Sequence, residues 1–421
     1  MTTSPNPRRV IPIARQDVKS TGSGLQPVKT EFALEALPPL SLYIHVPWCI
    51  RKCPYCDFNS HEAPDDLPES GYLQALTADL EQALPFIWGR QIHTIFIGGG
   101  TPSLLSAAAL DQLIAMVRAR LSIWPDAEIT LEANPGASEA QKFASFAASG
   151  VNRLSIGVQS FNDNYLKALG RRHDVKQAMR AIEYGLRSFN RVNLDLMYGL
   201  PGQTASQWET ELRTALAMGV QHLSLYQLTI EPQTVFAKFP PALPDDDVLG
   251  EMEAYIGQAI SAHGWDRYEV SAFASVKERS RHNLNYWTFG DYLGIGPGAH
   301  SKLSFHDRIE RSARTRNPEQ WMQSAIRHDG SHVSETRRLS STDLPFEFML
   351  NALRLRQGVA TSLFEERTGL SRLALSATLQ LALERHLMSP DPSRLCATEL
   401  GWRHLNILQS LFLEDEGSLK R

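Results

Sequence analysis

Residues 42–56 read LYIHVPWCIRKCPYC and join an apolar, β-branched run to three closely spaced cysteines. The run LYIHV has the composition of a buried strand. Directly after it, Cys49, Cys53 and Cys56 follow the spacing C-x3-C-x2-C, whereas Cys396 stands alone far along the chain. A strand that leads straight into a cysteine loop predicts a metal or redox site at the end of the first strand of a sheet.

The composition of the 421 residues is that of an ordinary globular protein. Hydrophobic residues make up 43% and charged residues 21%, and the formal net charge of −4 predicts no nucleic-acid partner. No apolar run reaches the ~18 residues of a membrane span, and the first residues lack the apolar centre of a secretory signal. We therefore expect a cytoplasmic protein without an integral membrane segment. In that reducing compartment, clustered cysteines serve as metal ligands or redox groups rather than disulfides.

Beyond the first strand, short β-like runs alternate with amphipathic segments. The strand candidates are 42–46, 93–97, 128–133, 153–158, 191–197 and 222–228, and the clearest helix candidates are 72–84, 110–121 and 206–218. This alternation predicts right-handed βαβ units and a parallel sheet. Six units correspond to three quarters of the eight-unit TIM barrel. The predicted fold class is α/β, a partial (β/α)6 TIM-like barrel with a small C-terminal, mainly α, winged-helix-like domain.

Four segments are predicted along the chain. Residues 1–40 are polar and rich in Ser, Thr, Pro and Gly, which predicts a disordered lead-in. Residues 41–240 form the core barrel, 241–338 an extension and 339–421 a helical C-terminal domain. Within the extension we expect a helix at about 247–263, and the many charges of 306–338 indicate solvated surface.

The cysteine loop suits an iron–sulfur cluster, with zinc as the rival. Three thiolates can hold three irons of a [4Fe–4S] cube and leave the fourth iron open. An open metal position can bind a small molecule directly. Structural zinc needs four protein ligands, and His45 or His61 would have to supply the fourth at an unfamiliar spacing.

Polar residues stand where further strands end. The run Gly98-Gly99-Gly100-Thr101-Pro102 follows the second strand, and its glycines are expected to let a ligand approach backbone N–H groups. Glu132, Gln159 and Asp195 end the third, fourth and fifth strands, and Arg171 follows in ALGRRH. Carboxylates accept hydrogen bonds from ribose hydroxyls or an ammonium group, and arginine pairs with a carboxylate. Because working residues of α/β barrels lie at the carboxyl ends of strands, these residues predict one site.

The cysteine spacing after a first strand, with Tyr55 just before the third cysteine, resembles the radical S-adenosylmethionine superfamily over about residues 41–230. The resemblance implies that Cys49, Cys53 and Cys56 hold a [4Fe–4S] cluster whose open iron binds S-adenosylmethionine. It also implies cleavage of the sulfonium C–S bond to a 5′-deoxyadenosyl radical by one electron. A donor such as flavodoxin or ferredoxin would supply that electron.

The motifs LYIHVPWC, GGGTPS, LEANP, GVQSF, ALGRRH and MYGLPGQT narrow the resemblance to the HemN-type subgroup, which comprises the oxygen-independent coproporphyrinogen III oxidases and their relatives. This resemblance implies contacts to one or two S-adenosylmethionine molecules from Tyr43, Tyr55, Gly99, Gly100, Thr101, Glu132, Gln159, Arg171 and Asp195. Two features depart from the oxidases. Phe58 stands where they carry a fourth cysteine, and residues 1–40 replace their structured N-terminal arm.

Residues 282–287, HNLNYW, are similar to the H-N-x-x-Y-W signature of HemW-type haem chaperones. The similarity implies haem as cargo for an acceptor protein, with His282 as candidate iron ligand and Tyr286 and Trp287 as flat contacts. His300 and His45 are further candidate ligands. Taken without the similarity, the segment reads as a structured loop with aromatics in the core.

The expected function is therefore haem delivery. The alternatives are oxygen-independent coproporphyrinogen III oxidation and a radical methyltransferase or cyclopropanase activity. Whether the protein is an enzyme stays open at this point.

Overall fold

The computed structural model describes residues 33–413, so most of the predicted lead-in lies outside the described residues. The described residues begin before the predicted boundary at residue 40. Leu34 is only 3% exposed, and it exchanges two hydrogen bonds with His306: its N–H donates to the His306 carbonyl at 3.2 Å, and its carbonyl lies 2.8 Å from the His306 ring. This short stretch, which the prediction placed in the lead-in, packs against the extension.

A single large sheet organises the molecule. Its strands are β1 Leu40–Val46, β4 Gln91–Gly99, β5 Ser122–Ala133, β6 Arg153–Gln159, β7 Arg191–Tyr198, β8 His222–Gln227, β9 Asp266–Glu269, β10 Ala272–Ala274, β11 Asp291–Ile295, β12 His300–Phe305, β13 Arg308–Arg314 and β14 Val333–Arg338. The short strands β2 Trp48–Cys49 and β3 His61–Glu62 pair with each other in the cysteine loop. The sheet order is β14-β13-β12-β11-β1-β4-β5-β6-β7-β8-β10-β9.

All six predicted strands are confirmed, as β1 and β4 to β8, and neighbouring strands among them are parallel. The extension continues the same sheet at both edges. β11 lies parallel to β1, and β10 lies antiparallel to β8. The predicted boundary near residue 240 is therefore no break in the sheet, because strands of the extension complete hydrogen bonding that β1 and β8 would otherwise leave open.

Side chains alternate across the barrel wall. In β1, Leu40, Leu42 and Ile44 are at most 1% exposed and pack in the core that joins the sheet to the surrounding helices. Ser41 and Tyr43 point to the opposite, inner face, as the two-residue period of a strand requires. The inner face of β1 is therefore polar, whereas the strands of most parallel sheets are apolar on both faces. A barrel lined in this way has an interior suited to a polar ligand.

Helices cover the outside of the barrel and build the C-terminal domain. They are α1 Glu69–Ile87, α2 Ala107–Arg120, α3 Ala137–Ala140, α4 Phe143–Ala148, α5 Asp163–Ala168, α6 Val175–Ser188, α7 Ala205–Ala217, α8 Val235–Lys238, α9 Asp246–Ala262, α10 Arg281–Trp287, α11 Pro318–Ala325, α12 Asp343–Ala352, α13 Ser362–Thr368, α14 Ser376–Glu384, α15 Glu399–Arg403 and α16 Leu405–Ser410. The four predicted helices of the barrel and extension are confirmed as α1, α2, α7 and α9. No helix within residues 33–413 combines the length and apolarity needed to cross a bilayer.

Residues 306–338 are more than the solvated surface that their charges indicated. They form β13, α11 and β14, and they bury Trp321 completely and Arg314 to 4% exposure. The arginine is buried because it pairs with Asp79 of α1, a partner that lies far away in sequence.

The C-terminal domain is mainly helical, as predicted, and has a core of its own. Phe348, Phe364 and Leu408 are completely buried in that core. A two-stranded antiparallel ribbon, β15 Val359–Ala360 with β16 Arg394–Leu395, accompanies the helices. Leu34 and Phe289 share this second core, so the domain packs on the extension.

Candidate functional site

The carboxyl ends of the parallel strands surround a pocket of about 370 Å³. Cys49, Cys53 and Cys56 line it, at the point where the chain leaves β1. Eight of the nine predicted S-adenosylmethionine contacts also line it: Tyr55, Gly99, Gly100, Thr101, Glu132, Gln159, Arg171 and Asp195. The structure thus brings residues from six separate segments to one place.

The cysteine loop is held by contacts to its own backbone and to neighbouring strands. Lys52 Nζ donates to the Phe58 carbonyl at 3.0 Å, which draws the loop closed. The Thr101 hydroxyl donates to Cys49 Sγ at 3.4 Å, and Arg171 Nη1 lies 3.7 Å from Cys53 Sγ. All three thiols are free and half-buried. Burial raises the pKa of the Cys49 and Cys56 thiols, so a bound cation is needed to make them ligating thiolates.

The arrangement of the thiols bears on the zinc alternative. Residues 33–413 contain no group of three or more His, Cys, Asp or Glu side chains placed to hold one metal ion. The cysteine loop supplies three thiolates, whereas structural zinc takes four protein ligands. Three thiolates are enough to hold three irons of a [4Fe–4S] cluster. By its donor chemistry the loop therefore fits a cluster with one open iron better than structural zinc.

The glycine run after β4 serves close packing. The N–H of Gly99 donates to Glu132 Oε2 at 3.0 Å, and the N–H groups of Gly100 and Thr101 donate to the carbonyls of Val46 and Trp48, both at 2.7 Å. The expectation that these N–H groups face a ligand is wrong, because each of them donates a hydrogen bond to an oxygen atom of the protein. A Cβ on Gly100 would lie 2.6 Å from the Trp48 carbonyl oxygen. Glycine is required there because the strand touches the start of the cysteine loop.

Two carboxyl groups face each other across the inner wall. Burial and the nearby Asp195 raise the pKa of Glu132 to about 8. Burial also raises the pKa of Asp195, although the Ser155 hydroxyl and the Asn193 amide donate to it at 3.0 and 2.8 Å. Half-buried carboxyl groups with raised pKa values favour a ligand that carries positive charge or several hydroxyl donors.

Arg171 and Gln159 complete the wall on the β6 side. Arg171 Nη2 donates to the Gly157 carbonyl at 2.8 Å and to the Asn134 side chain at 2.5 Å, which holds its guanidinium beside Cys53. Gln159 has a φ of +68°, in the left-handed region that residues with a Cβ rarely adopt. Such strain is typical of functional sites, where it directs a side chain into the pocket.

Tyr43 is the predicted contact that does not line the pocket. It lies on the inner face of β1, where its ring stacks on Phe96 and its hydroxyl lies 3.0 Å from His45 Nδ1. Sequence reasoning missed Asn134, Ser155 and Tyr226, which do line the pocket. Tyr226 could have been found, because it ends the last predicted strand in the same way as the chosen residues end theirs.

The segment HNLNYW forms helix α10, which lies over the amino-terminal part of the barrel, away from the cysteines. His282 is 2% exposed, with its Nδ1 2.8 Å from the Thr94 hydroxyl and its ring stacked on Phe96. Its Nε2 has no hydrogen-bond partner among residues 33–413. Burial lowers the pKa of His282 to about 3, so the ring is neutral. The structure does not bring His282, Tyr286 or Trp287 to the cysteine pocket, nor does it expose the His282 ring.

Comparison with known proteins agrees with this architecture. Residues 43–215 match the model of the radical SAM superfamily, and residues 339–404 match that of the HemN C-terminal domain. The chain is 47% identical to the heme chaperone HemW of Escherichia coli strain K12, over 90% of this chain and 99% of the relative. It is 34% identical to the mitochondrial radical S-adenosyl methionine domain-containing protein 1 of Bos taurus, over 89% and 86% of the two chains.

The solved structure of coproporphyrinogen III oxidase (HemN) from Escherichia coli has the same fold, with a TM-score of 0.76. The match covers 92% of this chain and 95% of that chain at 22% identity. At that identity the likeness concerns the fold alone.

Proposed function

Because this chain belongs to the HemW family of the radical SAM superfamily, we propose that it is a haem chaperone that binds a [4Fe–4S] cluster, S-adenosylmethionine and haem, and delivers the haem to an acceptor protein. The observation that carries the proposal is near-complete alignment, at 47% identity, with a relative named a heme chaperone. The identity of the acceptor and of the electron donor, such as flavodoxin or ferredoxin, stays open.

The cysteine pocket is the proposed site of the cluster and of S-adenosylmethionine. Cys49, Cys53 and Cys56 would hold three irons, and their loop is already closed by Lys52 and Thr101. When bound, the cluster would supply the single electron that cleaves a sulfonium C–S bond. The guanidinium of Arg171, beside Cys53, would stabilise the thiolates by its charge.

The inner wall would bind the remainder of S-adenosylmethionine. Glu132 and Asp195 present carboxyl oxygens to hydroxyl or ammonium donors, and Gln159 presents an amide that reads a ribose or adenine edge. A cationic ligand would lower the pKa of Glu132 from about 8, because its charge offsets the burial that raised it. Binding would therefore release a proton near neutral pH.

Anaerobic reconstitution with iron and sulfide tests the cluster assignment. We expect about four irons per chain in the wild type and loss of this iron in the Cys49→Ala/Cys53→Ala/Cys56→Ala triple variant. Cys396→Ala is the matched control, because Cys396 lies in the C-terminal domain and should leave the iron count unchanged. One iron per chain, or zinc instead of iron, would contradict the proposal.

Haem binding is tested on the reconstituted protein by absorption titration with haemin. The appearance of a Soret band at one haemin per chain is the expected result. The competing function, coproporphyrinogen III oxidation, is favoured by the shared fold with HemN and disfavoured by Phe58 at the position of the fourth cysteine. Formation of protoporphyrinogen with release of CO2, in the presence of reductant and S-adenosylmethionine, would establish that function instead.

A further inference from the structure

A hollow of about 220 Å³ lies beside the cysteine loop and opens to solvent. Its lining comes from the loop itself, from the turn after β5 with α3, and from the segment that joins α5 to α6. Cys53 lines both this hollow and the cysteine pocket, so the two spaces adjoin at one of the three predicted cluster ligands. We call it the Cys53 hollow.

The rim of the Cys53 hollow is positively charged. Arg51 and Arg172 are exposed, and neither guanidinium forms a hydrogen bond or an ion pair with another residue within 33–413. Arg171 adds a third positive charge. Glu139 supplies the one carboxylate among the described lining residues; it is 3% exposed and accepts from the Ser103 hydroxyl at 2.6 Å. The hollow therefore presents unpaired cations to solvent, on a chain whose formal net charge is −4.

The groups next to the two arginines leave this charge in place. His173 lines the hollow, but burial lowers its pKa to about 4, so its ring is neutral. Asp174 is exposed and does not line the hollow. Its carboxylate accepts from the Gln177 N–H at 2.7 Å and caps α6, so its charge is used at the start of that helix.

An exposed apolar side chain lies among these cations. Ile50 lines the hollow and is 42% exposed, although isoleucine is one of the residues most often found buried. Apolar contact at the centre and charge at the rim is the composition of a protein–protein interface. The hollow is also smaller than the about 300–1,000 Å³ of small-molecule sites. A side chain from the surface of a partner protein therefore suits it better than a cofactor.

The position of the hollow indicates what kind of partner it serves. Electron transfer slows steeply with distance, and at Cys53 a docked protein would touch a ligand of the proposed cluster. Transient redox complexes need only a small interface, below about 1,200 Å² in total. Opposite charges on the two surfaces speed their encounter at low ionic strength. A redox partner for this rim therefore carries negative charge.

From these observations we propose that the Cys53 hollow is the docking site of the electron donor, an acidic one-electron carrier protein. Carboxylates of the carrier would meet Arg51 and Arg172, and Ile50 would contact the centre of its docking surface. The carrier is oxidised by one electron and the cluster is reduced by one, so the transfer needs no further reactant. This inference rests on the proposed function, because it requires a cluster in the cysteine loop, and it adds where and by which charges the donor is recognised.

The test measures the binding of purified flavodoxin, an acidic carrier, to the anaerobically reconstituted full chain by titration calorimetry. At low ionic strength, Arg51→Glu/Arg172→Glu should raise the dissociation constant about tenfold. In about 1 M salt, where the Debye length is about 3 Å, the difference from the wild type should largely disappear. Arg213→Glu/Arg385→Glu is the matched control, because it changes the net charge equally at two exposed side chains that do not line the hollow. It should bind flavodoxin like the wild type.

Reduction of the cluster, followed by absorption, gives a second measurement. Reduced flavodoxin should reduce Arg51→Glu/Arg172→Glu about tenfold more slowly than the wild type. Dithionite, a small reductant that needs no docking surface, should reduce both at similar rates. Because Arg51 also lines the cysteine pocket, Arg172→Glu is measured alone as well. It should keep the iron content of the wild type and still bind flavodoxin more weakly.

The outcomes separate this inference from the proposed function. Weaker flavodoxin binding in the hollow variants but not in the control pair supports the inference. Equal affinities in hollow and control variants, or a wild type with about four irons that binds no flavodoxin, would overturn it and leave the proposed function standing. A wild type that takes up no cluster would overturn both. Saturable binding of inorganic phosphate that Arg172→Glu abolishes, without flavodoxin binding, would assign the hollow to a small anion and overturn the inference.

Discussion

Glu132 holds its proton near neutral pH, because burial and the nearby Asp195 raise its pKa to about 8. The corresponding pKa in an unfolded chain is 4.5. As pH rises from 4.5 to 8, the unfolded chain loses this proton before the folded one does. The ionisation of Glu132 therefore lowers the free energy of unfolding as pH rises from 4.5 to 8. This loss of stability is complete above pH 8.

Glu132→Gln removes this titration while it keeps the size of the side chain. We expect the variant to gain stability relative to the wild type as pH rises from 5 to 8.5. Urea unfolding of the cluster-free protein at these two pH values measures the difference. Parallel pH profiles for the two proteins would show that Glu132 is not perturbed in this way.

Gly100 is a second residue whose role is local. Because a Cβ there would lie 2.6 Å from the Trp48 carbonyl oxygen, Gly100→Ala should destabilise the protein by about 1–3 kcal/mol, as overpacking does. Gly71→Ala is the control. Its Cβ would meet nothing within 4 Å, and it lies in helix α1, so it should stabilise the protein slightly. If the urea midpoints of both variants move equally, a Cβ at position 100 is not sterically excluded.

At the scale of elements, helix α10 is held by a buried carboxylate of β5. Glu128 is completely buried and accepts from the backbone N–H groups of Arg281 and His282 at 3.1 and 2.9 Å. It also pairs with Arg191 at 2.7 Å. Its pKa is lowered, because the opposing charges of Arg153 and Arg191 outweigh the cost of burial. The haem-type signature is thus fixed to the barrel through its first turn.

Glu128→Ala should cost about 3–5 kcal/mol of stability, because it removes the counter-charge of the buried Arg153 and leaves the first N–H groups of α10 without their acceptor. Asp126 is the matched control on the same strand. It pairs with Arg281 but is 77% exposed, so Asp126→Ala should cost less than about 1 kcal/mol. Chemical denaturation compares the two variants. Equal losses would mean that the Glu128 contacts add no stability beyond that of a surface pair.

The elements that could be predicted are those with a strong local pattern. β1 and β4 to β8 are apolar, β-branched runs, and α1, α2 and α7 have helical periodicity, so each was located within a few residues. β13, α11 and β14 were missed because their charged residues indicate solvent. Arg314 and Trp321 are buried there by pairing with Asp79, which a local pattern cannot report.

On the scale of the whole molecule, Asp79 joins the barrel to the extension. It is completely buried on α1 and accepts from the Gly296 N–H, Arg314 Nε, Trp321 Nε1 and His332 Nε2 at 3.0–3.2 Å. All four donors belong to residues 241–338. The predicted barrel and extension are therefore tied together by one buried charge as well as by a shared sheet.

Asp79→Ala should destabilise the protein by about 3–5 kcal/mol, because Arg314 then stays buried without its counter-charge. Glu81→Ala is the control on the same helix. It removes a partly exposed pair with Arg120 and should cost less than about 1 kcal/mol. Differential scanning calorimetry follows both variants. If Asp79→Ala unfolds at the same temperature as the wild type, the contacts of Asp79 with the extension add no measurable stability.

The sequence by itself determined the parallel barrel, the cysteine loop and the polar strand ends that meet in one pocket, because periodicity and strand-end chemistry are local properties. Only the tertiary structure decided that the glycine N–H groups serve the protein, that His282 is buried over the amino-terminal part of the barrel, and that Arg51 and Arg172 border one hollow at Cys53. These facts depend on which distant segments touch. Such contacts are set by packing across the sheet and between the two cores, and a linear pattern carries no record of them.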